Sequence, residues 1–358
     1  MKRFAVIGLA GLSLVAGGAS YTDLKRDERI DFYPTIARRV QADTWQIEIR
    51  GSVYEPEHRG VALAAFREAL ELKHVKMSLP EERIFNERAR LFLVDHERRK
   101  RVVVRIAGNT FTLDKTKADG GFSASVIIRQ VDLDLGKSKL GRERVEFSAV
   151  VPASDKRSFI GEAFLLEDHG LSVISDIDDT IKITEVRDRH ATLRNTFLRE
   201  FEPVPGMATV YQTLARSNHA TFHYVSASPW QLYTPLSEFI RSNGFPSGTF
   251  SLKKFRWKDR SFLSLFSDPE KYKAAVMEPL LKQSPNRRFI LIGDSGERDP
   301  EIYGRLARKY PRQVSRIFIR NVTGEPAEAE RFRRAFEKVP EKSWQVFHDP
   351  AEIRFALP

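Results

Sequence analysis

Apolar and polar residues alternate with a period of two along much of the first half of the chain. Thr44-Trp45-Gln46-Ile47-Glu48-Ile49-Arg50 alternates without a break, and Arg101–Ile106 does so in part. Phe111–Leu113, Phe122–Ile128 and Val145–Val150 add further strands of the same kind. Gly108-Asn109, Gly120-Gly121 and the stretch Gly136–Gly141 punctuate them as turns. One helical pattern interrupts the β region: Val61, Leu63, Ala64, Phe66 and Leu70 recur at helical spacing across Gly60–Leu72. Residues 23–168 are therefore expected to form a mostly β, sandwich-like domain carrying an inserted helix. No acid pair, triad or metal-ligand cluster stands out there, which points to a structural or substrate-orienting module.

From Gly170 the pattern changes to strand, loop, helix, strand. The apolar run Val173-Ile174 ends in Asp176, Asp178 and Asp179, and Val204-Pro205-Gly206-Met207 opens a helix through Val210, Leu214 and Ala215. A second strand, Thr221–Val225, ends in Ser226-Ala227-Ser228-Pro229-Trp230, and a third, Arg288–Ile292, ends in Gly293-Asp294-Ser295-Gly296-Glu297-Arg298-Asp299. Ser315–Ile319 and Trp344–Phe347 complete the set. Such alternation predicts an α/β fold for residues 170–358, a parallel sheet flanked by helices whose strand ends gather polar loops into one crevice. The tail carries Ala329, Phe332, Ala335 and Phe336 on one helical face, expected to pack on the core rather than on a membrane.

Three carboxylates crowded at one strand tip repel one another unless a cation or a proton relieves them, so a hard-cation site for Mg²⁺ is expected. A carboxylate beside Mg²⁺ suits phosphoryl transfer, which needs an in-line nucleophile and positive charge around the transferring oxygens. Asp176 is placed to be the nucleophile, Asp178 the general acid and base, and Thr180 a hydroxyl holding Asp178. Ser226 offers a hydroxyl and a backbone N–H to a phosphate oxygen. Asp294 can complete the metal shell with Asp176, while Asp299 acts through a water on the metal or orients a lysine. Lys271 and Lys273, on the helix before the third strand, are both candidates to neutralise phosphate. The basic and aromatic tract Leu252-Lys253-Lys254-Phe255-Arg256-Trp257-Lys258 suits either an anionic headgroup or a solvated loop.

Composition narrows the partners. A chain of 358 residues has room for two domains, and a formal charge of +11 favours anionic ligands or surfaces. Its basic residues are dispersed and no nucleic-acid motif is present, so nucleic acid is not an expected partner. The absence of cysteine excludes disulfides, thiolate nucleophiles and a lipoprotein anchor, and eight scattered histidines make no metal-site spacing. At the start, Lys2 and Arg3 precede an apolar stretch from Phe4 to about Val15 and the small residues Ala16-Gly17-Gly18-Ala19-Ser20. That is the layout of a signal peptide, residues 1–19, so the chain is expected to be exported to a periplasmic or extracellular compartment.

These motifs, in this order, resemble the phosphatidate phosphatase catalytic-domain family typified by the fungal actin patch protein, a branch of the haloacid-dehalogenase-like superfamily. The residues carrying the resemblance are Val173–Lys182, Tyr224–Trp230, Ser251–Lys254, Lys273 followed by Leu280-Leu281, and Phe289–Tyr303, within about Gly170–Thr323. The resemblance implies a Rossmann-like parallel sheet with a minimal cap and a Mg²⁺-dependent phosphatase acting on phosphatidate or related lipid phosphates; peripheral contact with an anionic membrane surface is expected from the charge of +11. It implies Asp176 as nucleophile, Asp178 as acid/base, and Ser226 and Lys273 as phosphate binders; Lys254 of the basic tract remains a candidate on the substrate. The metal-side acids it implies are Asp294 and Asp299, and Asp176 and Asp178 join them as candidate metal ligands. Lys273 fits the family register better than Lys271. The alternatives are a phosphatase of soluble esters, since nothing in the motifs reads an acyl chain, and a non-catalytic envelope module binding anionic lipid.

Overall fold

A computed structural model describes residues 21–56, 60–135, 144–254, 269–353 and 355. The expected signal peptide, the Gly136–Gly141 turn region and the tract from Phe255 lie outside the described residues. The chain forms two compact units: one runs to Glu55 and resumes at His96–Leu166, the other takes Pro56–Asp95 and continues from Glu167.

The insert Pro56–Asp95 corrects the sequence reading, which left its helix within the β region. It holds α1 (Gly60–Ala69) and a second helix, α2 (Leu79–Arg90). Phe66, Leu70, Phe85, Ala89 and Phe92 are buried in the same core as Val173, Phe197 and Tyr224 of the second unit. The helix α2 has a legible start: Ser78 and Glu81 form a reciprocal capping box and a proline stands in its first turn.

In the first unit the strands are β1 (Arg29–Tyr33), β2 (Thr35–Gln41), β3 (Thr44–Glu55), β4 (Asp95–His96), β5 (Val103–Ile106), β6 (Asn109–Thr112), β7 (Gly121–Arg129), β8 (Arg144–Ala149) and β9 (Ile160–Leu166), with a short helix α3 (Gln130–Leu135). Sheet order runs β1-β3-β2-β9-β8-β5-β6, and β7 pairs with the other edge of β3. Every second residue of β3 is buried, and Trp45, Ile47, Ile49 and Val53 meet Phe122, Val104 and Phe147 in one apolar core. The sheet is mixed, because β2 and β9 run parallel while the neighbouring pairs are antiparallel.

The second unit is built on six strands: β10 (Leu171–Ser175), β11 (Thr221–Pro229), β12 (Gly248–Lys253), β13 (Arg288–Asp294), β14 (Val314–Arg320) and β15 (Trp344–Phe347). They lie in the order β12-β11-β10-β13-β14-β15, and every pair is parallel. Helices α4 (Arg189–Phe197), α5 (Met207–Asn218), α6 (Tyr233–Ser242), α7 (Pro269–Lys282), α8 (Asp299–Lys309) and α9 (Glu330–Ala335) connect or flank the strands. The central strands are buried along almost their whole length, as strands covered on both faces must be. The chain fills the sheet from β10 towards β12, then returns to β13 and moves the other way. This reversal leaves a crevice at the carboxyl ends of β10 and β13. Phe332, Ala335 and Phe336 of the tail are buried against this sheet in the core with Leu291, Ile302 and Ile317.

Candidate functional site

Ser175, the last residue of β10, pairs in register with Ile292 of β13, and the Asp176 N–H donates to the Ile292 carbonyl at 2.9 Å. The polar sequences after the two strands therefore emerge side by side. Asp176, Asp294 and Asp299, all buried, bring carboxylate oxygens within 4.8 Å of one another. Asp299 begins α8, and its Oδ2 accepts the Asp294 N–H at 3.3 Å. A Cβ at position 293 would stand 2.3 Å from that Oδ2, so glycine is what lets Asp299 lie against the end of β13.

Lys273, on α7, enters the cluster from the side. Its Nζ lies 2.7 Å from each of Asp176 Oδ1, Asp299 Oδ1 and Glu297 Oε2. Three carboxylates thus meet a single ammonium in a buried space, with Asp294 beside Asp176 and Asp299. Like charges at such separations cost about 3 kcal/mol a pair at an effective dielectric constant of ~20. Burial, reinforced by the neighbouring acids, pushes the carboxyls of Asp176 and Asp294 well above the usual range despite the lysine. Burial likewise raises Glu297, and it works against the Lys273 ammonium, which its three carboxylates nonetheless hold well above its ordinary value.

The donor set fits a hard divalent cation. Asp294 Oδ1 accepts the Gly296 N–H at 2.6 Å, whereas its Oδ2 is buried with no hydrogen-bond partner. Asp176 Oδ1 also receives no hydrogen bond, although the lysine stands beside it. Buried, orphaned carboxylate oxygens facing one another are what a cation would satisfy.

The three acids after β10 have separate fates. Asp179, at φ 53°, turns away and accepts the backbone N–H groups of Thr184, Glu185 and Val186 at 2.7–2.8 Å. It is a loop anchor. Asp178 points to a different set of partners from Asp176: Lys182 Nζ at 2.9 Å, Thr184 Oγ1 at 2.8 Å, Ser226 Oγ at 2.7 Å and Ser228 Oγ at 3.0 Å. Burial opposes its charge, but Lys182 and the hydroxyls of Ser226 and Thr184 prevail and hold its carboxyl well below the usual range. Asp178 is not one of the three side chains in the metal-capable group, where the sequence reading placed it.

Thr180 corrects another expectation. Its hydroxyl donates to Asp176 Oδ2 at 2.9 Å, so it steadies Asp176 and not Asp178. The tight turn after Asp176 places position 180 back under its carboxylate, while Asp178 faces β11. Ser226 is brought to the site, where its hydroxyl donates to Asp178 and accepts the Ser228 N–H at 2.9 Å. Lys254 is exposed just past β12, the edge strand beyond the one bearing Ser226.

Four contributors carry no role in the sequence reading. Glu297 stands in the strand-end cluster already singled out, and Lys182 follows Asp178 by four residues. Ser228 lies within the quoted strand-end motif. Arg331, on α9, has no local signal at all. It donates to the carbonyls of Ser295 at 2.6 Å and Glu297 at 2.5 Å and clasps the loop between β13 and α8.

A cavity of about 40 Å³ opens beside Asp178 and Glu297. Its wall is mostly apolar, with Val186, Phe197, Ala227, Pro229 and Leu232. Phe197 is held from behind by Phe66 and Phe92 of the insert, with ring centroids 5.8 and 5.6 Å away. Through Glu297, which also reaches Lys273, this cavity adjoins the acids able to hold a cation.

Residues 171–321 match the family described as the catalytic domain of phosphatidate phosphatase APP1. Over 258 residues the chain is 31% identical to phosphatidate phosphatase APP1 of Saccharomyces cerevisiae, an alignment covering 70% of this chain and 43% of that protein. Over 170 residues it is 31% identical to an uncharacterized protein of Schizosaccharomyces pombe, covering 46% of this chain and 27% of the relative. The chain thus spans less than half the length of either curated relative.

Proposed function

The chain belongs, through residues 171–321, to the family of the APP1 catalytic domain, and on that premise we propose that it is a phosphatase hydrolysing phosphatidate or related lipid phosphates with Mg²⁺. The observation that carries this reading is the convergence of Asp176, Asp294 and Asp299 with Lys273 at the ends of two adjacent parallel strands. Asp176, Asp294 and Asp299 would hold the ion, which when bound supplies positive charge to the phosphoryl oxygens.

In the first half-reaction an Asp176 oxygen attacks phosphorus, the ester P–O bond breaks, and the departing alkoxide takes a proton from Asp178. In the second, water attacks the aspartyl-phosphate, Asp178 takes its proton, and phosphate leaves with the Asp176 carboxylate restored. The strongly ionised state of Asp178 suits the second half. For the first half it must carry a proton, and transfer of the Ser226 and Ser228 hydroxyls to phosphate oxygens removes two donors that favour the carboxylate. Thr180 keeps Asp176 oriented, and Lys273 and Lys254 supply charge to the substrate.

The apolar wall of Val186, Phe197, Ala227, Pro229 and Leu232 supports an alcohol with hydrocarbon next to the phosphate. The formal charge of +11 supports peripheral contact with an anionic membrane, and the first nineteen residues support export. The test is phosphate release from phosphatidate vesicles, with Mg²⁺ and with chelator, for the chain and for Asp176→Asn. Release that needs both Mg²⁺ and Asp176 is expected. Asp176-dependent release from soluble esters alone would move the substrate to that class, and no release from either would leave a module that only binds anionic lipid.

A further inference from the structure

A protonated lysine has three N–H donors, and the Lys273 Nζ already lies 2.7 Å from three carboxylate oxygens, one each of Asp176, Glu297 and Asp299. A phosphate can be gripped by this ammonium only if one carboxylate gives way. The three are not equally held. Asp176 is tied by Thr180 through its other oxygen, and Asp299, fully buried, is tied by the Asp294 N–H in the space that Gly293 leaves open. Glu297 differs on both counts. Its side chain keeps 18% of its surface open and lines the cavity beside Asp178 and Ser228. Among the described residues, the only carboxylate partner of Lys273 that belongs to neither the metal-capable group nor the nucleophile is thus the one nearest solvent. Its backbone, meanwhile, is anchored by Arg331, so the side chain can turn while the loop stays in place.

We infer that Glu297 stands in for a phosphate oxygen on Lys273 in the resting site and is displaced when phosphate binds, so that its charge limits how tightly phosphate is held and speeds product release. The inference rests on the phosphatase reading and makes Glu297 a positioning residue acting through Lys273. After displacement the carboxylate remains within the same cavity, where it repels the phosphate dianion and competes for the ammonium. Hydrolysis of an ester at a buried site ends with a phosphate that Lys273 and a cation both attract. A tethered competitor opposes that trap.

The test measures affinity of the full chain, with Mg²⁺, for inorganic phosphate by calorimetry, alongside kcat and KM. Glu297→Gln keeps an acceptor for Lys273 but removes the charge. It is expected to bind phosphate about tenfold more tightly, with kcat and KM falling together as release slows. Unchanged or weaker phosphate binding, or a raised KM, overturns the inference, because a side chain that merely steadies Lys273 would loosen the phosphate site when altered. Should that variant fail to fold, Glu297→Asp, which withdraws the charge by one methylene, is expected to tighten phosphate by a smaller factor, and no tightening is again fatal. If the unaltered chain hydrolyses esters while neither variant tightens phosphate, only this inference falls. If the unaltered chain neither hydrolyses esters nor binds phosphate, both fall.

Discussion

Replacing Asp294 by Asn should separate what the acid cluster costs the fold from what it contributes to cation binding. In the metal-free protein the Asp294 carboxylate lies buried within 4.8 Å of Asp176 and Asp299 oxygens, and its Oδ2 has no donor to offset the repulsion. Each such pair costs about 3 kcal/mol at an effective dielectric constant of ~20. Protonation already relieves part of this, since burial and the neighbouring acids raise the carboxyl. A net gain of about 1–2 kcal/mol is therefore expected for Asp294→Asn in chelator, which raises Tm by roughly 2–8 °C in a unit of this size. With Mg²⁺ the order should invert. A cation at a hundredfold its Kd stabilises the unaltered chain by about 2.7 kcal/mol, and the variant, short of one anionic ligand, should gain little. Differential scanning fluorimetry with chelator and with Mg²⁺ reads both signs. A variant less stable than the parent in chelator, or equally stabilised by Mg²⁺, would refute the view of Asp294 as a strained cation ligand.

Three further outcomes are expected. In chelator, stability should fall as the pH rises from about 5 to 8: Asp176, Asp294 and Glu297 all have folded pKa values above their unfolded ones, so the folded state binds more protons in that window and the slope is negative. Urea midpoints across that range check this, and a flat or rising profile counts against it. Thr180→Val removes the 2.9 Å donor to Asp176 at nearly constant shape and should lower kcat by about tenfold with KM little changed. A kcat within twofold of the parent would mean that Asp176 needs no such support. Gly293→Ala drives a methyl against Asp299 Oδ2 and should weaken Mg²⁺ binding by about tenfold in calorimetry. Equal affinity would show Asp299 free to shift.

Legibility followed the range of the physics. The alternation in Thr44–Arg50 is a local, period-two signal, and β3 is where it places a strand, though it runs on to Glu55. The strands β1, β2 and β9 are hidden because polar residues or glycine interrupt their apolar runs: Asp31 in β1, Arg38 and Arg39 in β2, Gly161 and Glu162 in β9. The helix α2 was readable from Ser78-Leu79-Pro80-Glu81, but its low apolar content hid it from a search for hydrophobic spacing. Thr180 was assigned to the wrong aspartate because spacing along the chain does not say which way a tight turn faces each side chain.

By itself the sequence determined that an α/β unit follows a mostly β one, and that Asp176, Ser226 and Asp294 stand where apolar strands give way to polar loops. Both follow from local periodicity and from the rule that apolar strands end in polar loops. Only the tertiary structure decided which acids converge. Asp178 and Asp179 are neighbours of Asp176 in the chain yet face other partners, while Asp294 and Asp299 arrive from more than a hundred residues away. It also decided that Phe66 of α1 and Phe92 just past α2 back Phe197 beside the site, and that one lysine is shared by three carboxylates. Partner choice among buried charges depends on distance and dielectric environment after the sheet has closed, and neither is written in the order of the residues.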